Sequence, residues 1–267
     1  MTGGVTALNR NSIVIKTPAT ATTPAIYDCD LDHNGTYGDG EDIACNYLKY
    51  DDLIAYLDWS ALRPMTEMEY EKVCRGTGAV QSNEYPFGIS LPSPITLTNS
   101  ANISNSGLSN EISTIVGPGL SNFGGAPGTG PLRCGFAATS STVRTTAGAT
   151  IYGVMEMAGN VWEQCMQVGW GYYFVGSCST ITYYPATGIL FTGVLGDGNV
   201  DVNGNADAAN WGTSFATILK GGSWSTPNTV SGLQQLQISD RTQVFNTGTY
   251  PNNSRANNIG GRGVRKP

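Results

Sequence analysis

Leu219-Lys220-Gly221-Gly222-Ser223-Trp224 and, further on, Gly260-Gly261-Arg262-Gly263-Val264-Arg265 frame the stretch that decides how this chain is read. Both blocks look like fixed framework. Between them lies Asn-, Thr- and Ser-rich sequence with little core pattern and many short polar or aromatic side chains. That is the composition of a recognition surface rather than of a reactive centre.

The chain around this tail has 267 residues, enough for a sizeable core in one large domain or two small ones. Only 13% of residues are charged and 35 are Gly, which describes a loop-rich globular protein and not a helical bundle. The net charge is −6 and the pI about 4.7, so the basic footprint that nucleic acid or anionic lipid requires is missing. Nucleic acid is not expected as a partner. No basic segment leads into an apolar one as in a signal peptide, and no apolar run reaches the roughly 18 residues that span a bilayer, so membrane insertion is not expected either. The six cysteines (Cys29, Cys45, Cys74, Cys134, Cys165, Cys178) are scattered and form no CxxC pair. Cys74 and Cys165 read as small buried hydrophobes, whereas Cys29 and Cys178 fall in loop-like sequence and could pair or stay free.

Residues 1 to 27 read as an arm with one short strand at Ser12-Ile13-Val14-Ile15. Leu53, Tyr56 and Leu57 recur at helical spacing within 49 to 60. Thr66 with Glu69 three residues on predicts a capping box ahead of Met68, Tyr70 and Val73, closed by Gly76. From about 80 to 150 no periodic segment survives, and so long an irregular region needs something to pin it. The block from Ile151 to Glu163 restores order, and Thr217-Ile218-Leu219 reads as a strand.

The single histidine, His33, excludes a multi-histidine metal centre and leaves a serine or cysteine hydrolase only one histidine as its base. Asp30, Asp32 and Asn34, followed by Gly35 and by Glu41 at the twelfth position, fit the spacing of a calcium loop. The flanking sequence, with Pro18 and Pro24, lacks the helices that normally accompany it, so a solvated Asp/Gly turn stands beside the calcium reading. The loop from Asp197 to Asp207 alternates similarly without a terminal Glu.

Five blocks in order carry a family resemblance: Leu62 to Lys72, Tyr85-Pro86-Phe87-Gly88, Tyr152 to Glu163, Gly221-Gly222-Ser223-Trp224 and the Gly-Arg ending. Together they resemble the formylglycine-generating-enzyme (sulfatase-modifying factor) family. The resemblance covers roughly residues 43 to 265 and implies an α+β, C-type-lectin-like fold with two helices, a small twisted antiparallel sheet and extensive irregular loops. On this basis residues 1–42 form an arm and acidic loop packed on a domain spanning 43–267. The resemblance also implies a structural calcium site built from Asn160, Val161 and Glu163, with core packing of Trp162 and an internal hydrogen bond from Glu163 as the alternative. Members of the family that oxidise cysteine use a copper-binding cysteine pair, and those positions here are Thr226 and Ser231. No cysteine follows Cys178, so copper is not expected and the chain is not expected to be an enzyme. The iron-dependent relatives need more than one histidine.

The tail also resembles the variable region of proteins diversified by retroelements, here residues 221–265. The resemblance implies a ligand-binding protein that displays variable contacts at Trp224, Ser225, Thr226, Asn228, Thr242, Val244, Phe245, Asn246, Thr247, Tyr250, Asn252, Asn253, Asn257 and Asn258. Aromatic members of this set would supply contact area and the polar ones adaptable hydrogen bonds. The expected partner is a protein or glycan on a host or neighbouring cell, and the expected location a virion surface, tail tip or cell surface. Asp240 and Arg241 are expected to hold the loop to the scaffold. Gly261 departs from the Phe usual in such endings. An oxidase and a calcium-dependent glycan-binding lectin are the alternative functions.

Overall fold

A computed structural model describes residues 10–90, 96–98, 102–125, 130–166, 172–174, 181–183, 193–203, 205–207, 211, 217–243 and 254–265. Strand β1 (Ile13–Thr17) pairs antiparallel with β2 (Ile26–Cys29) in a ribbon near the start of the chain. Helix α1 (Tyr50–Trp59), strand β3 (Arg63–Pro64) and helix α2 (Glu67–Arg75) follow. Among the described residues the irregular middle contains two-residue strands, β4 (Leu97–Thr98), β5 (Ile103–Ser104), β6 (Ile112–Ser113) and β7 (Ser121–Asn122), paired β4 with β7 and β5 with β6. Strand β8 (Trp162–Met166) comes next, then the antiparallel pair β9 (Tyr172–Phe174) and β10 (Ile181–Tyr183), and then β11 (Thr217–Lys220). Helix α3 (Val230–Gln235) and strands β12 (Ile259–Gly260) and β13 (Gly263–Val264) complete the α+β arrangement.

The centre is the three-stranded sheet β11-β8-β12, in which β11 runs antiparallel and β12 parallel to β8. Every residue of β8 is buried. Trp162 packs with Leu219 and Ile259, while Cys165 joins Met65, Tyr70, Cys74, Met157, Ile218 and Ile238 in a second cluster. Burial of each large side chain stabilises by about 1.5–3 kcal/mol. The polar members of β8 are held by hydrogen bonds: Gln164 donates Nε2–H to the carbonyls of Leu48 at 3.1 Å and Gly260 at 2.9 Å. Cys74 and Cys165 are buried, as their apolar neighbours predict.

The two predicted helices form where their signals lie. In α2 the Thr66 hydroxyl accepts the Glu69 N–H at 3.1 Å and the Glu69 carboxylate accepts the Thr66 N–H at 3.0 Å. Gly76, at φ +68°, stops the helix in a conformation that an L side chain resists. In α1, Leu53 and Leu57 face the core, but Tyr56 points outward, as does Met68 in α2. Each helix packs a narrower apolar stripe than the sequence pattern offers. Helix α3 is an addition to the two expected. The Thr229 hydroxyl caps it by accepting the Gly232 N–H, and Gly232 fits because a Cβ there would stand 1.9 Å from the Pro227 carbonyl oxygen.

The irregular middle is pinned by buried polar groups. Glu111, fully buried, ion-pairs with Arg10 and accepts the N–H groups of Gly107 and Arg133, both at 2.8 Å. Leu120, Leu132 and Phe136 close a cluster beneath it. Replacing Trp162 by Ala is expected to lower unfolding free energy by about 3–5 kcal/mol in urea denaturation. Thr66→Ala, which removes only a cap, is expected to cost about 1 kcal/mol in the same assay.

Candidate binding surface

The Gly221-Gly222-Ser223-Trp224 block leaves the central sheet and turns beneath the surface. Both glycines have positive φ, and a Cβ on Gly221 would stand 2.7 Å from the Met157 carbonyl oxygen. Trp224 is only 6% exposed; its backbone N–H bonds to the Asn160 carbonyl at 2.7 Å and its indole N–H to the Asn257 carbonyl at 3.1 Å. Thr226 is buried too: its hydroxyl accepts the Ser223 N–H and its carbonyl accepts the Gly124 N–H. The Asn258 side chain, 4% exposed, donates to the Ser225 hydroxyl at 2.8 Å, and its carbonyl accepts the Trp162 N–H. Trp224, Thr226 and Asn258 therefore do not lie on a solvent-facing surface. Their hydrogen bonds tie the tail to the framework, a burial that aromatic or polar residue type alone cannot reveal.

Asn228 and Thr242 are exposed, and Ser225 and Asn257 are half-buried. Val230 on α3 is 75% exposed beside Asn228. Val244, Phe245, Asn246, Thr247, Tyr250, Asn252 and Asn253 lie outside the described residues. The segment leading to them is anchored as the sequence leads one to expect. Arg241 bridges to Glu67 at 3.0 Å and to Glu71, both on α2, and the Asp240 carbonyl accepts a hydrogen bond from Lys220. Lys220 is buried against the Tyr70 ring, 5.3 Å from its centroid, and burial lowers its pKa.

The residues proposed for calcium behave differently from their expected roles. The Asn160 carboxamide oxygen accepts from the Leu132 N–H at 2.7 Å and from Asn122 at 3.2 Å, and its amide donates to the Leu132 carbonyl. Both lone pairs are used within the protein. Glu163 pairs with Arg262 at 2.9 Å, and Arg262 also donates to the Met155 carbonyl at 3.2 Å. The nearby carboxylates, Glu163 first, raise the Arg262 pKa, so a permanent cation already occupies this place. The Asn160 side-chain oxygen is thus committed within the protein, and Glu163 makes the internal contact that the alternative reading expects. Glu163 Oε2 is buried without a hydrogen-bond partner and Val161 lines the same cavity of about 210 Å³, together with Cys45, Cys134, Glu156 and Arg262. Burial pushes the Glu156 carboxyl up to about 7 against the pull of the Gly135 N–H, Arg262 and Arg133. Burial likewise raises the thiols of Cys134, to about 11, and of Cys45.

In the acidic loop, Asp30, Asp32 and Asp39 converge, their nearest carboxylate oxygens all within 4.8 Å of one another. Glu41 turns away toward Asp28, whose own carboxylate Lys16 holds at 2.6 Å. Asn34 spends its side-chain oxygen on the Thr36 N–H and its amide on Asp32. Among the described residues Asp30 and Asp32 thus converge with Asp39, while Asn34 and Glu41 make other contacts. Cys29 is a free thiol, and Cys178 lies outside the described residues.

The chain matches the family described as sulfatase-modifying factor enzyme 1-like domains over residues 41–267, and it belongs to that family. Its α+β architecture of small sheets and long irregular connections is the C-type-lectin-like fold of that domain. No curated protein matches the chain.

Arg262→Gln should leave the buried Glu163 carboxylate uncompensated and cost about 3–5 kcal/mol of stability, measured by urea denaturation. Glu156 has a raised folded pKa, so the folded state binds the proton more tightly and wild-type stability should fall as pH rises from the unfolded value near 4.5 to about 7. Glu156→Gln should flatten this fall, which is on the order of 2 kcal/mol, in melts taken across that window.

Proposed function

We propose that the chain is a non-catalytic ligand-binding protein whose C-terminal region is diversified by a retroelement, presenting variable contacts to a protein or glycan on a host or neighbouring cell. The observation that carries this reading is the division within the tail. Gly221, Gly222, Ser223, Trp224, Thr226, Asn258, Ile259 and Gly260 are buried framework, whereas Asn228, Val230 and Thr242 face solvent between them. A surface bracketed in this way can change side chains without disturbing the packing that holds it. The contact set is accordingly the exposed members together with residues 244–253, and a virion surface, tail tip or cell surface is where such a protein would act.

The absence of any cysteine after Cys178 in the sequence supports a role without copper. Desolvation raises the pKa of the two thiols lining the cavity, which lowers their thiolate fraction. Calcium is not required by this reading, since Arg262 neutralises Glu163.

The DNA flanking the gene should contain a reverse-transcriptase reading frame and a near-copy of the bases encoding 221–265 that differs at adenines. A flanking region without them would sink the diversified reading. Oxidation of a sulfatase-derived cysteine peptide by the purified chain would overturn the non-catalytic one. Asn228→Ala and Thr242→Ala should each change stability by no more than about 0.5 kcal/mol, and Trp224→Ala should cost about 3–5 kcal/mol. Thermal denaturation of the three variants separates display positions from framework.

A further inference from the structure

The C-terminal end of α1 presents a second surface, remote in sequence from the tail. Tyr56 and Trp59 stand one turn apart with ring centroids 6.1 Å from each other, 56% and 75% exposed. The loop that begins at Gly193 packs against this end. Asp197 donates its N–H to the Asp58 carboxylate at 3.1 Å, Gly196 donates to the Leu62 carbonyl at 2.8 Å, and a Cβ on Gly198 would stand 4.0 Å from the Trp59 Cα. Gly196 is required there, because a Cβ would meet the Asp58 Cα at 2.3 Å. The same loop carries Val200 and Val202, 62% and 100% exposed.

The charge at this end is one-sided. Nearest carboxylate oxygens of Asp58, Asp197 and Asp207 lie within 4.8 Å of one another, and among the described residues none of the three makes an ion pair. The last turn of α1 contains no basic residue. A helix C-terminus carries partial negative charge that Lys or Arg normally offsets, so dipole and carboxylates add here with the same sign. Partial desolvation first, and then Asp197, Asp58 and Asp201, raise the pKa of Asp207. Exposed aromatic faces next to such a field attract cations, and more strongly when the cation is partly desolvated.

We infer that the Tyr56–Trp59 face and the adjoining exposed carboxylates of Asp197 and Asp207, with Asp58 buried behind them, form a docking surface for a basic segment of a partner protein, with Lys or Arg over the rings and apolar side chains beside them. Charge complementarity selects this occupant. The surface is remote in sequence from the variable tail.

The test uses the full chain and a fluorescein-labelled octapeptide of alternating Lys and Val, capped at both ends, with the Glu/Val peptide as control. Fluorescence polarisation should show saturable binding of the Lys peptide alone, weakened by raising the salt. Trp59→Ala and Asp197→Asn/Asp207→Asn should each weaken it by about 5-fold or more. Asp51→Asn/Glu41→Gln, which removes the same charge elsewhere, should leave it within about 2-fold. Asp207→Asn alone repeats the test should the double variant melt early. The inference is overturned by an absence of saturable binding, by equal weakening in the remote-charge variant, or by indifference to Trp59→Ala. It is also overturned if calcium ions displace the peptide from the carboxylates, or if sedimentation shows the face covered by a second copy, with self-association lost in Trp59→Ala.

Discussion

Three irregular segments meet at Asn160, and the fold depends on the hydrogen bonds made there. Its side chain satisfies Leu132 and Asn122, its N–H donates to the Asn122 carbonyl, and its carbonyl accepts from Trp224. It does this at φ +66°, directly after Gly159 at φ +79°, where a Cβ would stand 2.4 Å from the Asn122 carbonyl oxygen. Asn tolerates such a conformation better than most side chains. A protein with so little regular structure must find partners for its buried backbone groups outside ladders, and here one residue joins the middle of the chain through its carboxamide to the start of the tail through its backbone carbonyl.

The same economy governs the neighbouring cavity. A family resemblance points to a hard cation near Glu163, yet Arg262 supplies positive charge from within the chain and adds a bond to the Met155 carbonyl. A guanidinium fixes direction as well as charge, because its N–H groups form a rigid fork. It therefore ties the final strands to β8 and to the Met155 segment. Glu156, on the same wall, keeps a carboxyl whose charged form burial disfavours, so the cavity gains no second strong anion in mildly acidic solution.

Much of this was legible in the sequence where the signal is local. The Thr66–Glu69 capping box, the Leu53–Leu57 stripe and the apolar setting of Cys74 and Cys165 all rest on neighbours a few residues away, and all formed. The order of the five blocks made the family readable as well. Long-range accounting was not legible. Nothing around Asn160 tells a reader that its oxygen is consumed by residue 132, and nothing around Glu41 shows that the loop closes through Asp39 instead. The tail misled for a related reason: Trp224, Thr226 and Asn258 have the residue types of a contact surface but are buried by segments distant in sequence. Helix α3 is too short for periodicity to mark, and Thr229 was its only capping cue.

Gly261 shows how such departures are absorbed. A Cβ there would stand 2.5 Å from the Leu53 side chain, so α1 presses against the last strands where the family's usual Phe would need room. Leu53 and Leu57 both lie against this glycine-rich ending, since a Cβ on Gly263 would meet Leu57 at 2.4 Å. The apolar contact at this point comes from the helix, which approaches closely because the ending has no Cβ there. The helix whose inner face fills this gap is also the one whose outer face carries Tyr56 and Trp59, so the depth at which Leu53 and Leu57 seat sets how that aromatic pair stands above the domain.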